Sequence, residues 1–226
     1  KTYDTNLIFE NKIIKLEKIG INFSIQSFLK KEFAIKNIVI STKENNFKNI
    51  INLVRIYQNT PQLFMFDKMI KGGTLIADIN LNFNNKGKIS SDYNIKGLVK
   101  NGKIRLLNEE IINNINLNFD IKEKQFFLKN SQIEFNELKL SSKAININNE
   151  GKYFSFEGDV KTSESTVSSK LLSILFKNNF KDLSLDNIAF SSINNFAFKV
   201  NKKFKFSDIN VKSNINLKNL IHNKKY

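Results

Sequence analysis

The sequence predicts a mainly β protein: an elongated, curled antiparallel β-sheet, groove-forming and repeat-like, with two short helical insertions. Apolar residues recur at every second position along most of the chain, as in Leu75, Ala77, Ile79, Leu81 and Phe83, and a period of two marks strands with one buried face. Ile115–Phe119 repeats Ile79–Phe83 letter for letter, and Asn214–Leu217 echoes Asn114–Leu117, so similar strands recur in one sheet. A single proline in 226 residues leaves extended segments free of a residue that cannot donate to a ladder.

Residues 1–44 read as N-terminal strands, with Leu7 and Phe9, then Ile14, Leu16 and Ile19, then Ile21, Phe23 and Ile25, then Phe33, Ile35, Ile38 and Ile40. Gly20 and Lys30-Lys31 look like breaks between them. Residues 45–71 form a helical insert. Phe47, Ile50, Ile51, Val54 and Tyr57 fall at helical spacing, and Thr60-Pro61 offers an N-cap followed by proline at the first helical position. Gly72-Gly73 is expected to stop that second helix.

The central sheet spans 72–160. Asn84-Asn85-Lys86-Gly87 supplies a turn, followed by Ile89, Tyr93, Ile95 and Val99. Alternation resumes at Ile115, Leu117 and Phe119, turns at Glu123-Lys124, and continues through Phe126, Leu128, Ile133, Phe135, Leu138 and Leu140. Ile145, Ile147, Phe154, Phe156 and Val160 complete it. The intervening positions are Asn, Lys, Ser, Asp and Glu, so the sheet is greasy on one side and wet on the other. Residues 161–178 read as a helix with Val167, Leu171, Ile174 and Leu175 on one face and Thr162 or Ser163 as cap. Strands return over 179–220 and a polar tail closes the chain at 221–226. In all, about fifteen short strands are expected.

Composition narrows the function. The net charge of +15 invites a nucleic-acid reading, but only Arg55 and Arg105 are arginines and the lysines are dispersed, so no nucleic-acid partner is expected. The absence of cysteine excludes disulfides and thiolate chemistry and leaves the compartment open. No apolar run of about 18 residues exists to form a membrane helix. No signal peptide is visible, and Lys1 in place of an initiator methionine suggests a piece of a longer protein.

Chemistry-bearing residues are sparse. His222 is the sole histidine, with no cysteine to complete a transition-metal site. Glu109-Glu110 and Asp182 with Asp186 read as loop charges, and the serines between Ser163 and Ser169 have no base to activate them. Gly72-Gly73 lies between helix and strand in the wrong order for a phosphate loop. The expectation is a non-enzymatic protein without catalytic residues, metal or cofactor.

The wide apolar face asks for an explanation. Two halves of the sheet could pack on each other as a closed sandwich, or a solenoid scaffold or adhesion module, with no lipid cargo. Alternatively, a curled sheet could leave the face open as a trough for acyl chains. A transmembrane barrel is disfavoured by the helical inserts, the lack of Trp and the polar end from Lys218 to Lys225.

The run Gly72-Gly73-Thr74-Leu75-Ile76-Ala77-Asp78-Ile79-Asn80-Leu81 resembles the helix, Gly-Gly and alternating-strand entry of the AsmA-like superfamily. Gly87-Lys88-Ile89, Gly97–Gly102 and Phe154–Val160 look like its turn-and-return and closing strands. The resemblance covers about residues 45–160 and is one of pattern. It implies a periplasmic protein of the Gram-negative envelope, held to the inner membrane by an anchor outside this chain. Its apolar groove would conduct phospholipid between inner and outer membrane and so serve outer-membrane biogenesis. On that reading Leu75, Ile79, Leu81, Phe83, Ile89, Tyr93 and Ile95 line the groove with Ile115, Leu117, Phe119, Phe135, Leu140, Phe154 and Phe156. The partners are phospholipid acyl chains.

Overall fold

The computed structural model describes residues 1–9, 11–57, 60–106, 109–136, 138–168 and 187–221. Chain order begins with β1 (Thr2–Phe9), β2 (Lys12–Phe23), α1 (Ile25–Leu29), β3 (Ile35–Thr42) and β4 (Asn45–Asn46). The helical pair α2 (Phe47–Tyr57) and α3 (Pro61–Met69) precedes β5 (Ile70–Asn82) and β6 (Asn94–Arg105). Then come β7 (Ile111–Lys122), β8 (Gln125–Phe135), β9 (Leu138–Asn149), β10 (Tyr153–Ser168), β11 (Asn187–Asn201) and β12 (Phe206–Ile221).

These strands form one open 12-stranded sheet in the order β1-β2-β3-β5-β6-β7-β8-β9-β10-β11-β12, with β4 paired to β5. Every neighbour is antiparallel, and nearly every one is also the next strand in sequence. The architecture is therefore the curled, groove-like antiparallel sheet that the alternation predicts. A closed sandwich is not what forms, because no described strand folds back over the apolar face.

Among the described residues the strands are fewer and longer than expected, because several changes of phase in the alternation are bends within one strand. Asn101 in β6, Asn114 in β7 and Asn130 in β8 all take positive φ, between 49° and 50°. Asparagine tolerates this left-handed region better than most residues. The ladder register slips beside the first two, between Val99 and Gly102 and between Asn113 and Asn116. An extra residue in a strand flips the phase of the residues after it, so β6 presents Ile95 and Val99 before the bend and Ile104 after it, while β8 passes from Phe126 and Leu128 to Ile133 and Phe135. Bulges bend and twist a strand, and a seam of them across neighbouring strands curls the sheet. Similar slips cross β9–β10 at Gly158/Lys161 and β10–β11 at Thr162/Ser165.

The helical insert forms as two helices. Phe47, Ile50 and Ile51 of α2 face the sheet. Thr60 caps α3, its hydroxyl accepting from the Leu63 N–H at 3.3 Å, and Pro61 occupies the first turn. Arg55 and Asp67 tie the two helices together through an ion pair at 2.5 Å in which Asp67 is nearly buried.

Four sequence expectations are corrected. Gly72-Gly73 does not end a helix: α3 passes directly into β5 at Ile70, whose backbone is already extended. The pair lies inside β5, where Gly73 has φ +109° and an added Cβ would sit 2.6 Å from Gly102 Cα. Glycine is thus required by close approach of two strands, not by a helix stop. Gly20 is no break either, since it pairs with Val39 within β2. Ile25 opens α1 and does not continue a strand. Finally, residues 161–168 belong to β10, with Thr166 opposite Ala189 and Val167 opposite Ile188. Thr162, Thr166 and Val167 are β-branched and Ser163, Ser165 and Ser168 form helices weakly, so cross-strand pairing wins. Leu171, Ile174 and Leu175 lie outside the described residues, as do Asp182, Asp186 and His222.

Candidate functional site

The registers define one continuous apolar row. Ile19 lies opposite Ile40, Ile40 opposite Ile79, and Ile79 opposite Ile95. Ile95 faces Ile121, Ile121 faces Phe126, and Phe126 faces Ile147. Phe156 joins Ile147 to Phe198, whose ring stacks on it at 4.8 Å. Directly opposed residues share a face, so this row crosses nine strands from β2 to β11 on one side of the sheet. At about 4.8 Å per strand it is roughly 38 Å long.

A parallel row beside it mixes small and large residues: Ala77, Gly97, Phe119, Leu128, Ile145, Gly158, Phe196 and Val211. Gly97 makes room for the Phe119 ring, since an added Cβ would meet Phe119 Cζ at 2.6 Å and the Ile76 carbonyl oxygen at 2.2 Å.

The predicted lining residues fall into three groups. Leu75 is buried in a cluster with Phe47, Ile70, Ala77 and Val99, and Ile79, Leu117 and Phe119 are partly buried and pack against that cluster. Ile115 is likewise buried, opposite Gly102. Leu75 and Ile115 are thus buried in the fold, whereas Ile79, Leu117 and Phe119 are partly buried where the apolar face runs up to the cluster.

A second group lies along the rows or at their margins. Ile95 and Phe156 are in the main row, Leu81 continues the face opposite Ile38, and Phe154 lies opposite Val200. Tyr93 closes one margin, its hydroxyl donating to the Glu123 carbonyl at 2.6 Å. Burial pushes the Tyr93 phenol above its ordinary value, and the Glu123 carboxylate adds to that rise. Phe83 packs its ring 5.7 Å from Phe33 at the sheet end.

The third group is remote. Ile89 touches the sheet through an isolated bridge to Phe83 and is 54% exposed. Phe135 and Leu140 sit beyond the bulge seam, Phe135 opposite Leu138 and Leu140 against the Leu138, Val167 and Ile188 cluster. Sequence periodicity does not single out Ile19, Ile40, Ile121, Phe126, Ile147 and Phe198 as members of one row. Each is visible as a strand position, but only the registers reveal that they are opposite one another.

The other side of the sheet is polar. A shallow depression of about 450 Å³ there involves Asn146, Glu157, Asp159, Asn195 and Lys212, which have the opposite phase to the apolar row. Among the described residues no three His, Asp or Glu side chains are grouped to hold a metal ion, and no described helix is long and apolar enough to cross a membrane. Glu109 pairs with Arg105 at 3.4 Å.

No protein-family model matches this chain. No curated protein matches it, and neither does any solved structure.

Proposed function

We propose that this chain is the β-groove segment of an AsmA-like envelope protein, and that it binds and conducts phospholipid by its acyl chains. The protein acts in the periplasm, is held to the inner membrane by an anchor elsewhere in the molecule, and passes lipid toward the outer membrane without catalysis. The observation that supports this reading is the unbroken apolar row from Ile19 to Phe198 on an open sheet. Its length of roughly 38 Å exceeds the ~15 Å that one acyl chain occupies in half of a ~30 Å hydrocarbon core.

The energetics suit movement. An acyl chain of about 16 methylenes loses on the order of 0.8 kcal/mol per methylene on entering water, about 13 kcal/mol in all. A continuous apolar strip removes most of that barrier, and its contacts are weak and non-directional, so a chain can slide from strand to strand.

The test is native mass spectrometry with lipid extraction on protein purified without detergent. Bound phospholipid is expected, and Ile147→Asp, within the row on β9 and away from α2, should reduce it at least about ten-fold while Ile147→Val retains it. The Leu81→Asp, Leu117→Asp pair is less clean, because Leu117 packs in the core under α2. A lipid-free mass with a lipid-independent melt would replace this reading with a scaffold or adhesion module.

A further inference from the structure

One rim of the sheet carries an element that is turned inside out. α1 buries its polar side: Ser24 and Ser27 are 6% and 9% exposed, with the Ser27 N–H donating to Ser24 Oγ at 3.1 Å. Its apolar side faces water. Ile25, Phe28 and Leu29 are 77%, 72% and 76% exposed, and Phe23, just before the helix, is 66% exposed. Positions 25, 28 and 29 share one helix face, so together they form a projecting apolar tip.

This tip is held in place. The Phe33 N–H donates to the Asn85 carbonyl at 3.2 Å, and Phe33 packs on Phe83. Gly87, at φ +75°, lies so near that an added Cβ would come within 3.1 Å of the Phe33 ring. The clamp brings the tip beside the β5–β6 turn and its Lys86 and Lys88. Lys30 and Lys31 come directly after Leu29, and the acids of this stretch are Glu32 and Asp92.

Antiparallel order puts the β7–β8, β9–β10 and β11–β12 turns on the same rim. They contribute Lys122, Lys124, Lys152, Lys202, Lys203 and Lys205, against Glu123 and Glu150. The rim is thus basic along its length, with the apolar tip at one end and Phe206, 63% exposed, at the other.

We propose that this rim docks on an anionic phospholipid bilayer, with Phe23, Ile25, Phe28 and Leu29 entering the interface and the lysines meeting the headgroups. A soluble protein rarely exposes so much apolar surface without a partner. Lysine ammoniums are compact point charges that do not demand fixed bidentate geometry, and a row of them suits a fluid layer of headgroups. Apolar side chains ringed by lysine are what an interfacial contact combines. The rim borders the apolar row, with Phe206 against the Phe198 ring at 5.5 Å, but docking on intact vesicles is read separately from lipid occupancy of the row, so either can fail without the other.

The test is co-sedimentation of the chain with vesicles of phosphatidylcholine mixed with phosphatidylglycerol, and with phosphatidylcholine alone. Binding to the mixed vesicles is expected, falling as salt rises. Ile25→Ser, Phe28→Ser and Leu29→Ser combined should weaken it at least about ten-fold, with the melting temperature unchanged because all three are exposed. Lys30→Glu with Lys31→Glu, which leaves the tip intact, should weaken it by roughly five-fold or more per residue. No pelleting with mixed vesicles, equal pelleting with both kinds, or triple-serine and charge-reversed chains that pellet like the wild type would each overturn the proposal; the first outcome would point to a protein partner on the tip.

Discussion

The apolar face of this sheet meets two environments. Where α2 lies on β5, the cluster residues Leu75, Ala77 and Val99 are 6%, 4% and 5% exposed, a closed core. On β12, Val211, Ile215 and Leu217 have the same alternating pattern and are 55%, 57% and 58% exposed. Ile115-Asn116-Leu117 and Ile215-Asn216-Leu217 are the same tripeptide, yet Ile115 is buried and Ile215 is not. Strand periodicity therefore encodes which side a residue takes, while burial is decided by what covers that side. In the first region the cover includes α2, whose Phe47, Ile50 and Ile51 pack on the cluster, and a second buried cluster of Leu138, Val167 and Ile188 lies away from that helix; between and beyond them the face is free to meet a ligand.

The sharpest way to break that comparison is to truncate one residue in each region. Ile70 is fully buried between the helices and the sheet. Ile70→Ala should cost about 3 kcal/mol from lost transfer energy and the cavity left behind. Ile215→Ala on the exposed edge should stay within about 0.5 kcal/mol. Urea unfolding midpoints measure both. Equal losses would mean that the uncovered part is as tightly packed as the covered one.

Overpacking sharpens the same contrast at a smaller scale. Gly97 and Gly158 occupy the same side row in the two regions. A Cβ on Gly97 would strike both the Ile76 carbonyl and the Phe119 ring, which packs against the core under α2. On Gly158 it would approach the Ala144 carbonyl oxygen at 2.7 Å and Ile145 at 3.1 Å. Gly97→Ala should therefore lose about 3 kcal/mol and Gly158→Ala about 2 kcal/mol, because the clash at Gly97 is the closer one and meets a backbone oxygen and a ring at once, while the clash at Gly158 is with backbone at 2.7 Å and 3.1 Å. A larger loss at Gly158 would contradict that order.

The mainly β class, the sidedness of the strands, and the helices around Phe47 and Pro61 are legible in the sequence, because each is set by local period or capping chemistry. That Asn101, Asn114 and Asn130 bend strands without ending them is not legible, since a left-handed asparagine has the same local signature whether it closes a turn or makes a bulge. Nor is the role of Gly73, whose reason is Gly102, 29 positions away on the next strand. Residues 161–168 mislead because Val167 fits a helical face as well as a strand, and its pairing with Ile188 is invisible locally. For the site, Leu75 has the period of a groove residue, but no pattern in the strand announces that it will be buried against Phe47 of α2.

The smallest effect concerns Tyr93, at the margin of the face. Its hydroxyl donates to the Glu123 carbonyl, which joins the β5–β6 connection to the β7–β8 turn. Tyr93→Phe should cost about 1 kcal/mol at neutral pH through loss of that hydrogen bond. The phenol titrates above its ordinary 10.0 because burial and the Glu123 carboxylate disfavour the charged form. The unfolded chain therefore ionises first, so this residue's contribution is complete below the unfolded value and fades as pH rises through the folded one. Urea midpoints of wild type and Tyr93→Phe should accordingly differ at neutral pH and converge at strongly alkaline pH, with lysine and other tyrosine titrations cancelling in the difference. A gap that stayed constant through the alkaline range would mean that Tyr93 is as solvated as an exposed tyrosine, and that the margin of the apolar face lies elsewhere.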